Sequence, residues 1–264
     1  MIRTTMEALM KYERINEIEQ FLSYKNHATI NELLAEFDIS IQTLRRDINI
    51  LHQRGVITKV YGGVIYNKEM IINNTTPVVE TRMNLNIDKK KVIGQLASTL
   101  IEPNDVLFID SGTTTIHLIP HIVNKPNLLV VTHGLDVINE VRNSSNIESI
   151  LIGGKYLPTT NSFYTDTNNI NYSFNKAIIS TIGLSLPKGL SNENFFEAAI
   201  KKYAIHSSSK VIVLIDSTKF DITALNNFSS LEKVHYIVTD EKPNARYLDY
   251  FKKNNIKVIY PENQ

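Results

Sequence analysis

Cysteine is absent from the 264 residues, which rules out disulfides and cysteine-ligated zinc and fits a reducing, cytoplasmic setting. Long apolar runs are missing as well. Stretches such as Val106 to Ile109 and Leu128 to Val131 fall far short of the roughly 20 residues that cross a bilayer, so no membrane association is expected. Residues Met1 to Arg14 carry charges throughout and lack the apolar stretch of a signal peptide. An excess of one charge sign is missing too: 28 Lys and Arg stand against 27 Asp and Glu, a net +1. That balance argues against non-specific polyanion binding by the chain as a whole. No internal repeat or low-complexity tract stands out. Hydrophobic residues at 42% and charged residues at 21% describe an ordinary globular chain, and the length allows one large domain or two unequal ones.

The distribution of charge says more than its sum. Residues 1–66 hold eight Lys/Arg and eight Asp/Glu, yet residues 41–66 carry Arg45, Arg46, Arg54 and Lys59 against Asp47 alone. This basic segment lies in a pattern of three helices and a hairpin over residues 6–66. Ile15, Ile18, Phe21 and Leu22 make the first apolar stripe. Thr29-Ile30-Asn31-Glu32 reads as a capping box opening the second helix, whose apolar face is Ile30, Leu33, Leu34 and Phe37. Asp38-Ile39 makes a tight turn and Ser40 caps a third helix, expected to bury Ile41, Leu44, Ile48 and Leu51 and to end at Gly55. Its outer face presents Gln42, Thr43, Arg45, Arg46 and Asn49. Two β-prone runs, Val56–Val60 and Val64–Tyr66, flank Tyr61-Gly62-Gly63 as a wing would. A helix-turn-helix sets such an outer face into the major groove. Arginines there pair with phosphate or guanine edges, and Gln42, Thr43 and Asn49 are suited to read bases. The candidate DNA-contacting set is Ser40, Gln42, Thr43, Arg45, Arg46, Asn49, Arg54, Lys59, Tyr61 and Gly62, with double-stranded operator DNA as partner.

Asn and Thr dominate residues 67–77, where hydrophobic periodicity lapses. We take 67–79 as a linker and 80–261 as a second domain. There, apolar strands at Val106–Asp110, Leu128–His133, Ile147–Gly153, Ala177–Gly183, Val211–Asp216, Tyr236–Asp240 and Lys257–Tyr260 alternate with helical patterns. The helices fall at Lys89–Ile101, Thr114–Val123, Leu135–Asn143, Phe195–Ser207 and Asn244–Asn254. That alternation predicts a mostly parallel α/β sheet covered on both faces. Asp110, Thr132, Gly153, Gly183, Asp216 and Asp240 fall at strand C-termini, the edge where open parallel sheets bind ligands. Ser111-Gly112-Thr113-Thr114-Thr115 follows one such strand and opens a helix. Small residues let backbone N–H groups converge there, hydroxyls add donors, and a helix N-terminus favours an anion, which together suit a phosphate. Lys219 offers a compensating cation, and Asp110 an acceptor for sugar hydroxyls. His117 and His121, at i and i+4, lack a carboxylate or cysteine to complete a metal set. Glu193 and Glu197 either line the cleft or favour the helix dipole.

Thr29-Ile30-Asn31-Glu32-Leu33, Phe37-Asp38-Ile39-Ser40, Thr43-Leu44-Arg45-Arg46-Asp47-Ile48, Leu51, Gly55 and Tyr61-Gly62-Gly63 together resemble the DeoR family of bacterial repressors. The resemblance extends through Glu80-Thr81-Arg82, Lys90 with Ile93, Asp110 to Thr115, Val131-Thr132-His133, Gly153-Gly154 and Asp216 to Phe220. It implies a winged helix-turn-helix followed by a phosphosugar-sensing domain related to ribose-5-phosphate isomerase, with no cofactor, no catalytic residue and no metal. The ligand set it implies is Asp110, Ser111, Gly112, Thr113, Thr114, Thr115, Thr132, His133, Gly153, Gly154, Glu193, Asp216 and Lys219. Three positions depart from the family. Tyr61 and His133 stand where the family often has His and Asn, and Asn175 follows Phe174 where it commonly has Asp. Asp47, odd on a DNA-facing helix, is expected to hold Arg46 or a wing amide. The leading function is a repressor of a sugar-metabolism operon under a phosphorylated sugar effector, assembled as a dimer or tetramer to span half-sites about 34 Å apart. The alternatives are a sugar-phosphate isomerase fused to a DNA-binding domain, with Asp110, Asp216, Glu193 or Lys219 moving protons, and an architectural DNA-binding protein with an inert second domain.

Overall fold

The computed structural model describes residues 14–15, 17–19, 21–22, 25–53, 57–66 and 79–261. The chain divides into two compact units, residues 1–75 and 76–264. Arg54, Gly55 and the Asn/Thr-rich stretch 67–77 lie outside the described residues.

In the first unit the described positions between 14 and 25 are helical, and β1 (His27–Thr29) leads directly into a helix at Ile30–Phe37. Thr29 and Glu32 form the expected capping box, with Thr29 N–H donating to Glu32 Oε2 at 2.8 Å and Glu32 N–H to Thr29 Oγ1 at 3.2 Å. Asp38 ends this helix at φ 43°, the left-handed region that Asp tolerates because its short side chain bonds locally. Ser40 Oγ then accepts from Thr43 N–H at 3.2 Å and caps the third helix, Ile41–Gln53. β2 (Ile57–Val60) and β3 (Gly63–Tyr66) form the wing, and β1 joins it in a three-stranded antiparallel sheet that sequence periodicity did not foretell. Ile15, Ile18, Leu22, Leu33, Leu44, Ile48, Leu51, Ile57 and Val64 make one core. Ile41 is the exception: at 41% exposure it faces solvent in the first turn of its helix, contrary to the expected burial.

The second unit begins in helices at Val79–Asn84 and Ile87–Ser98. β4 (Val106–Ile109), a 3-10 segment (Thr115–His121), β5 (Leu128–Thr132), a helix (Leu135–Val141) and β6 (Ile147–Leu151) follow. Next come a hairpin of β7 (Lys155–Leu157) and β8 (Ser162–Tyr164), then β9 (Phe174–Ser180), β10 (Gly183–Ser185) and β11 (Gly189–Asn192). The chain continues through a helix (Phe195–His206), β12 (Ser208–Leu214), β13 (Asn226–Ser229) and β14 (Tyr236–Val238), and finishes with a helix (Ala245–Lys253) and β15 (Lys257–Ile259).

All seven expected strands enter one parallel sheet, in the order β15-β14-β12-β9-β4-β5-β6. Their side chains alternate between two cores. Phe108, Val131 and Ile179 belong to one, and Leu107, Ile109 and Val130 to the other, so both faces are covered. The strand order reverses at β4. Its successors β5 and β6 lie to one side, whereas β9, β12, β14 and β15 lie to the other. The crevice beyond the C-termini of β4 and β9 is therefore the topological switch point where ligands bind in such sheets. Among the described residues no helix is long and apolar enough to cross a membrane.

Candidate DNA-reading face and ligand cleft

On the third helix Leu44, Asp47, Ile48 and Leu51 are buried, while Gln42, Arg45, Arg46 and Asn49 are exposed. Neither Arg45 nor Arg46 forms an ion pair among the described residues. Thr43 is half-buried and its hydroxyl lies 2.9 Å from Ser40 Oγ, so Ser40 and Thr43 define the helix start as well as part of its surface. Lys59 on β2 reaches across and donates to Asn49 Oδ1, tying wing to helix. Tyr61 and Gly62 form the wing tip. Tyr61 is fully exposed and Gly62 adopts φ +76°, a conformation glycine adopts without strain. Asp47 is bound neither to Arg46 nor to a wing amide. It lies buried, and Arg14 of the first helix donates to it twice, at 2.7 and 3.3 Å. The carboxylate is thus turned inward, where it braces the third helix from behind.

In the second unit the expected strand-end residues resolve into two clusters. Asp110, just past β4, is completely buried, and both its oxygens are occupied. Oδ2 accepts from Ser180 N–H and from Lys201 Nζ, each at 2.6 Å, and Oδ1 accepts from Gly112 N–H. The expectation that Asp110 accepts sugar hydroxyls gives way to a structural role: it fastens the loop after β4 to the end of β9. Thr115 joins the same knot by donating to the carbonyls of Asp110 and Gly112 at 2.8 and 2.7 Å. Ser111 Oγ donates to Glu197, at 3.0 Å from both carboxylate oxygens.

Thr113 and Thr114 remain. Among the described residues the hydroxyls of Thr113 and Thr114 and the backbone N–H groups of Ser111, Thr113 and Thr114 have no hydrogen-bond partner within the chain. Neither hydroxyl is a buried atom without a partner; both reach solvent and are free to bond a ligand. The helix expected after the loop is a seven-residue 3-10 segment containing Pro120. That is too short for a macrodipole argument, so any attraction of an anion rests on the loop donors themselves.

Glu197 organises the other wall. It accepts from Ser111, from Ser162 Oγ at 2.7 Å, and lies 3.3 Å from His133 Nε2. Burial alone would raise its pKa, but His133, Lys201 and Ser162 reverse the effect and hold the carboxyl well below the usual range. His133 is enclosed rather than open to the cleft. It is 1% exposed, stacks on Phe108 with centroids 5.8 Å apart, and leaves Nδ1 without a partner. The Thr132 hydroxyl is used internally, accepting from Gly134 N–H at 3.1 Å. Gly153 is exposed with open space around it, whereas Gly154, at φ +139°, packs against the carbonyl of Tyr164 and serves the β7–β8 hairpin. Glu193 is half-buried, and its carbonyl accepts from Asn226. Asn175, in place of an acid, accepts Val106 N–H at 2.6 Å and links β9 to β4.

The second cluster lies past β12 and β14. Asp216 caps a short 3-10 turn by accepting Thr218 N–H at 3.1 Å, and Lys219 follows, half-buried. β9 stands between β4 and β12, so the two loops are two strand spacings, about 10 Å, apart. His117 and His121 belong to the 3-10 segment. Burial and the nearby Lys90 and Lys91 push the His117 pKa down, and no metal-binding group of side chains occurs among the described residues.

Lys201, Ser162 and Ser180 were outside the expected site, and of the two readings open for Glu197 the structure puts its carboxylate in the wall of the cleft. Glu197 and Lys201, at i and i+4 on one helix, carry the pattern of a solvated ion pair. Only the packing of Phe195–His206 against the sheet turns that face inward.

Two family profiles match the chain: the DeoR-like helix-turn-helix domain at residues 14–70 and the DeoR C-terminal sensor domain at residues 85–241. The HTH-type transcriptional regulator IolR of Bacillus subtilis is 35% identical over 253 residues, covering 94% of this chain and 99% of that one. A lactose phosphotransferase system repressor of Lactococcus lactis is 28% identical over 91% of this chain and 95% of its own. Among solved structures, ribose 5-phosphate isomerase from Plasmodium falciparum is similar at 15% identity with a TM-score of 0.38, over 51% of this chain and 52% of that one. The chain belongs to the DeoR family of transcriptional regulators, with that family's helix-turn-helix at its N-terminal end and its sensor domain after it.

Proposed function

We propose that this regulator represses a sugar-metabolism operon and is controlled by a phosphorylated sugar held at the loop Ser111–Thr115. The observation that carries the reading is the set of unbonded donors on Ser111, Thr113 and Thr114, displayed at the switch point of the sheet and held in place by Asp110 and Lys201. Unpaired amides and hydroxyls close together in sequence on a fixed loop are suited to a phosphate, whose oxygens accept several hydrogen bonds at once. Lys219, one strand beyond β9, supplies a cation on the same sheet edge. The regulator reading is also supported by a relative named as a lactose phosphotransferase system repressor and by one named as a transcriptional regulator at 35% identity. Operator binding places the protein with the DNA in the cytoplasm, and a dimer or tetramer supplies the repeated half-site contacts.

The effector reading is tested by calorimetry with matched phosphorylated and free sugars. Losing one charge-assisted hydrogen bond costs about 1.5–3 kcal/mol, so the phosphorylated member of the true pair should bind at least roughly tenfold more tightly. Thr113→Ala should weaken it modestly. Equal affinity for both members would move the site elsewhere.

The DNA face is tested separately. Arg45→Ala should weaken operator binding by about 1–3 kcal/mol and relax preference at one base position. Lys59→Ala should weaken binding to all sequences and lower the salt slope by about 1. Unchanged titrations for both variants across salt concentrations would show that the third helix and wing are not the contact surface.

A further inference from the structure

The helix Ile87–Ser98 packs on the 3-10 segment that follows one loop of the proposed effector cleft and bonds to the other loop. At its middle, Gly94 packs against the backbone of His117 so closely that a Cβ would sit 2.2 Å from the His117 carbonyl oxygen. His117 lies two residues beyond the loop Ser111–Thr115. At the N-terminal end, Lys89 Nζ lies 2.6 Å from Ser217 Oγ, 2.8 Å from Asp240 Oδ2 and 2.7 Å from Glu241 Oε1. Asp240 in turn accepts from Ser217 N–H at 2.7 Å. Three residues earlier, Asn86 Nδ2 is 3.4 Å from Asp216 Oδ1 and 3.5 Å from Thr218 Oγ1.

The segment just before this helix is the described part of the second unit that comes first in the chain. Val79–Asn84 is a separate short helix, and Asn86 at φ 55° forms the break between the two. Lys90, almost fully buried, reaches back over that break and donates to the carbonyl of Arg82. Movement of Ile87–Ser98 is therefore passed to Val79–Asn84 through a held junction rather than lost in a free loop. Packed elements of this kind shift as bodies, because close packing does not deform continuously.

We propose that Ile87–Ser98 carries effector occupancy to Val79–Asn84, where the described part of the second unit begins, with Lys89 as the positioning residue that couples it to the strand-end loop 216–219. The proposal rests on the effector reading above. Lys89 itself takes no part in holding the ligand. It makes the start of the second unit follow the loops that do.

Hydrogen exchange on the full chain, with inorganic phosphate as probe, separates the two claims. At ten times its Kd, phosphate should slow exchange at residues 111–115 by roughly tenfold, and slow residues 79–90 with them. In Lys89→Ala the loop 111–115 should stay protected, while residues 79–90 no longer respond. Lys89→Arg, which keeps the cation, should restore the response. A role confined to stability would lower protection in Lys89→Ala without abolishing the response to phosphate. Protection at 111–115 with no response at 79–90 in the unmodified chain overturns the coupling, as does a Lys89→Ala chain that responds normally. If phosphate protects neither segment, the effector reading fails, and the ligand-free comparison decides the coupling. Lys89→Ala must then speed exchange at 79–90 and 216–219 together, and a change confined to one segment sinks it.

Discussion

Lys201→Met should destabilise the sensor unit by about 3–5 kcal/mol, the usual cost of removing one partner from a buried ion pair. The side chains of Lys201 and Asp110 are 2% and 0% exposed, and their charged atoms lie 2.6 Å apart. Methionine fills much the same volume, so the loss is electrostatic rather than a cavity. It leaves a fully buried carboxylate with Ser180, Gly112 and, at 3.4 Å, the Thr115 hydroxyl as its remaining donors. The Ser180 carbonyl, at 2.9 Å from Lys201 Nζ, also loses its ammonium. For a unit of this size the melting temperature should fall by roughly 6–20 °C. Pairing the change with Asp110→Asn removes the buried charge and should recover much of the loss, because a pair neutralised on both sides leaves no ion uncompensated. Thermal unfolding of Lys201→Met, Asp110→Asn and the double variant measures this. A single variant within about 1 kcal/mol of the unmodified chain would mean that the pair does not hold the cleft together.

That pair also marks the limit of what the sequence discloses. The seven strands of the parallel sheet were legible because strands buried on both faces read as short continuous apolar runs. The hairpin β7–β8 was not, since Lys155-Tyr156-Leu157 and Ser162-Phe163-Tyr164 are short and partly exposed, without the apolar run or clean alternation that marks a strand. The site divides in the same way. A glycine and hydroxyl loop after a strand is a local signal, so residues 111–115 were legible. Which of their donors are spent internally depends on partners far along the chain. Glu197 lies 86 residues from Ser111, and Lys201 lies 91 from Asp110. Local pattern cannot distinguish an exposed Glu–Lys pair from a buried one. Asp47 presents the same difficulty: its partner Arg14 is 33 residues away, on another helix. The 3-10 character of Thr115–His121 had a readable sign in Pro120, which cannot donate within a helix interior.

Gly112→Val should abolish the effector response, for a reason different from obstruction of the anion alone. A Cβ at this position would lie 1.8 Å from Ser180 Oγ, 2.7 Å from Ser180 Cβ and 2.8 Å from Asp110 Oδ1. The hydroxyl can rotate away, but Ser180 Cβ and the Asp110 carboxylate cannot, because Ser180 N–H and Lys201 hold Asp110 in place. The loop must therefore move, and with it the N–H groups of Thr113 and Thr114. Overpacking of this kind costs about 1–3 kcal/mol in stability. The loss in binding should be greater, since displacing two or more donors removes about 1.5–3 kcal/mol for each charge-assisted bond. Gly112→Ala should retain part of the response, and adding Ser180→Gly, which removes both Ser180 contacts, should raise it further. Calorimetry with the phosphorylated sugar reads the binding, and operator titration without sugar reads the other unit. The titration should be unchanged, because the substitution lies within the sensor domain. A Gly112→Val chain that binds the sugar normally would show that the donors of this loop do not form the site. One that loses operator binding without sugar would show that the damage is not confined to the sensor.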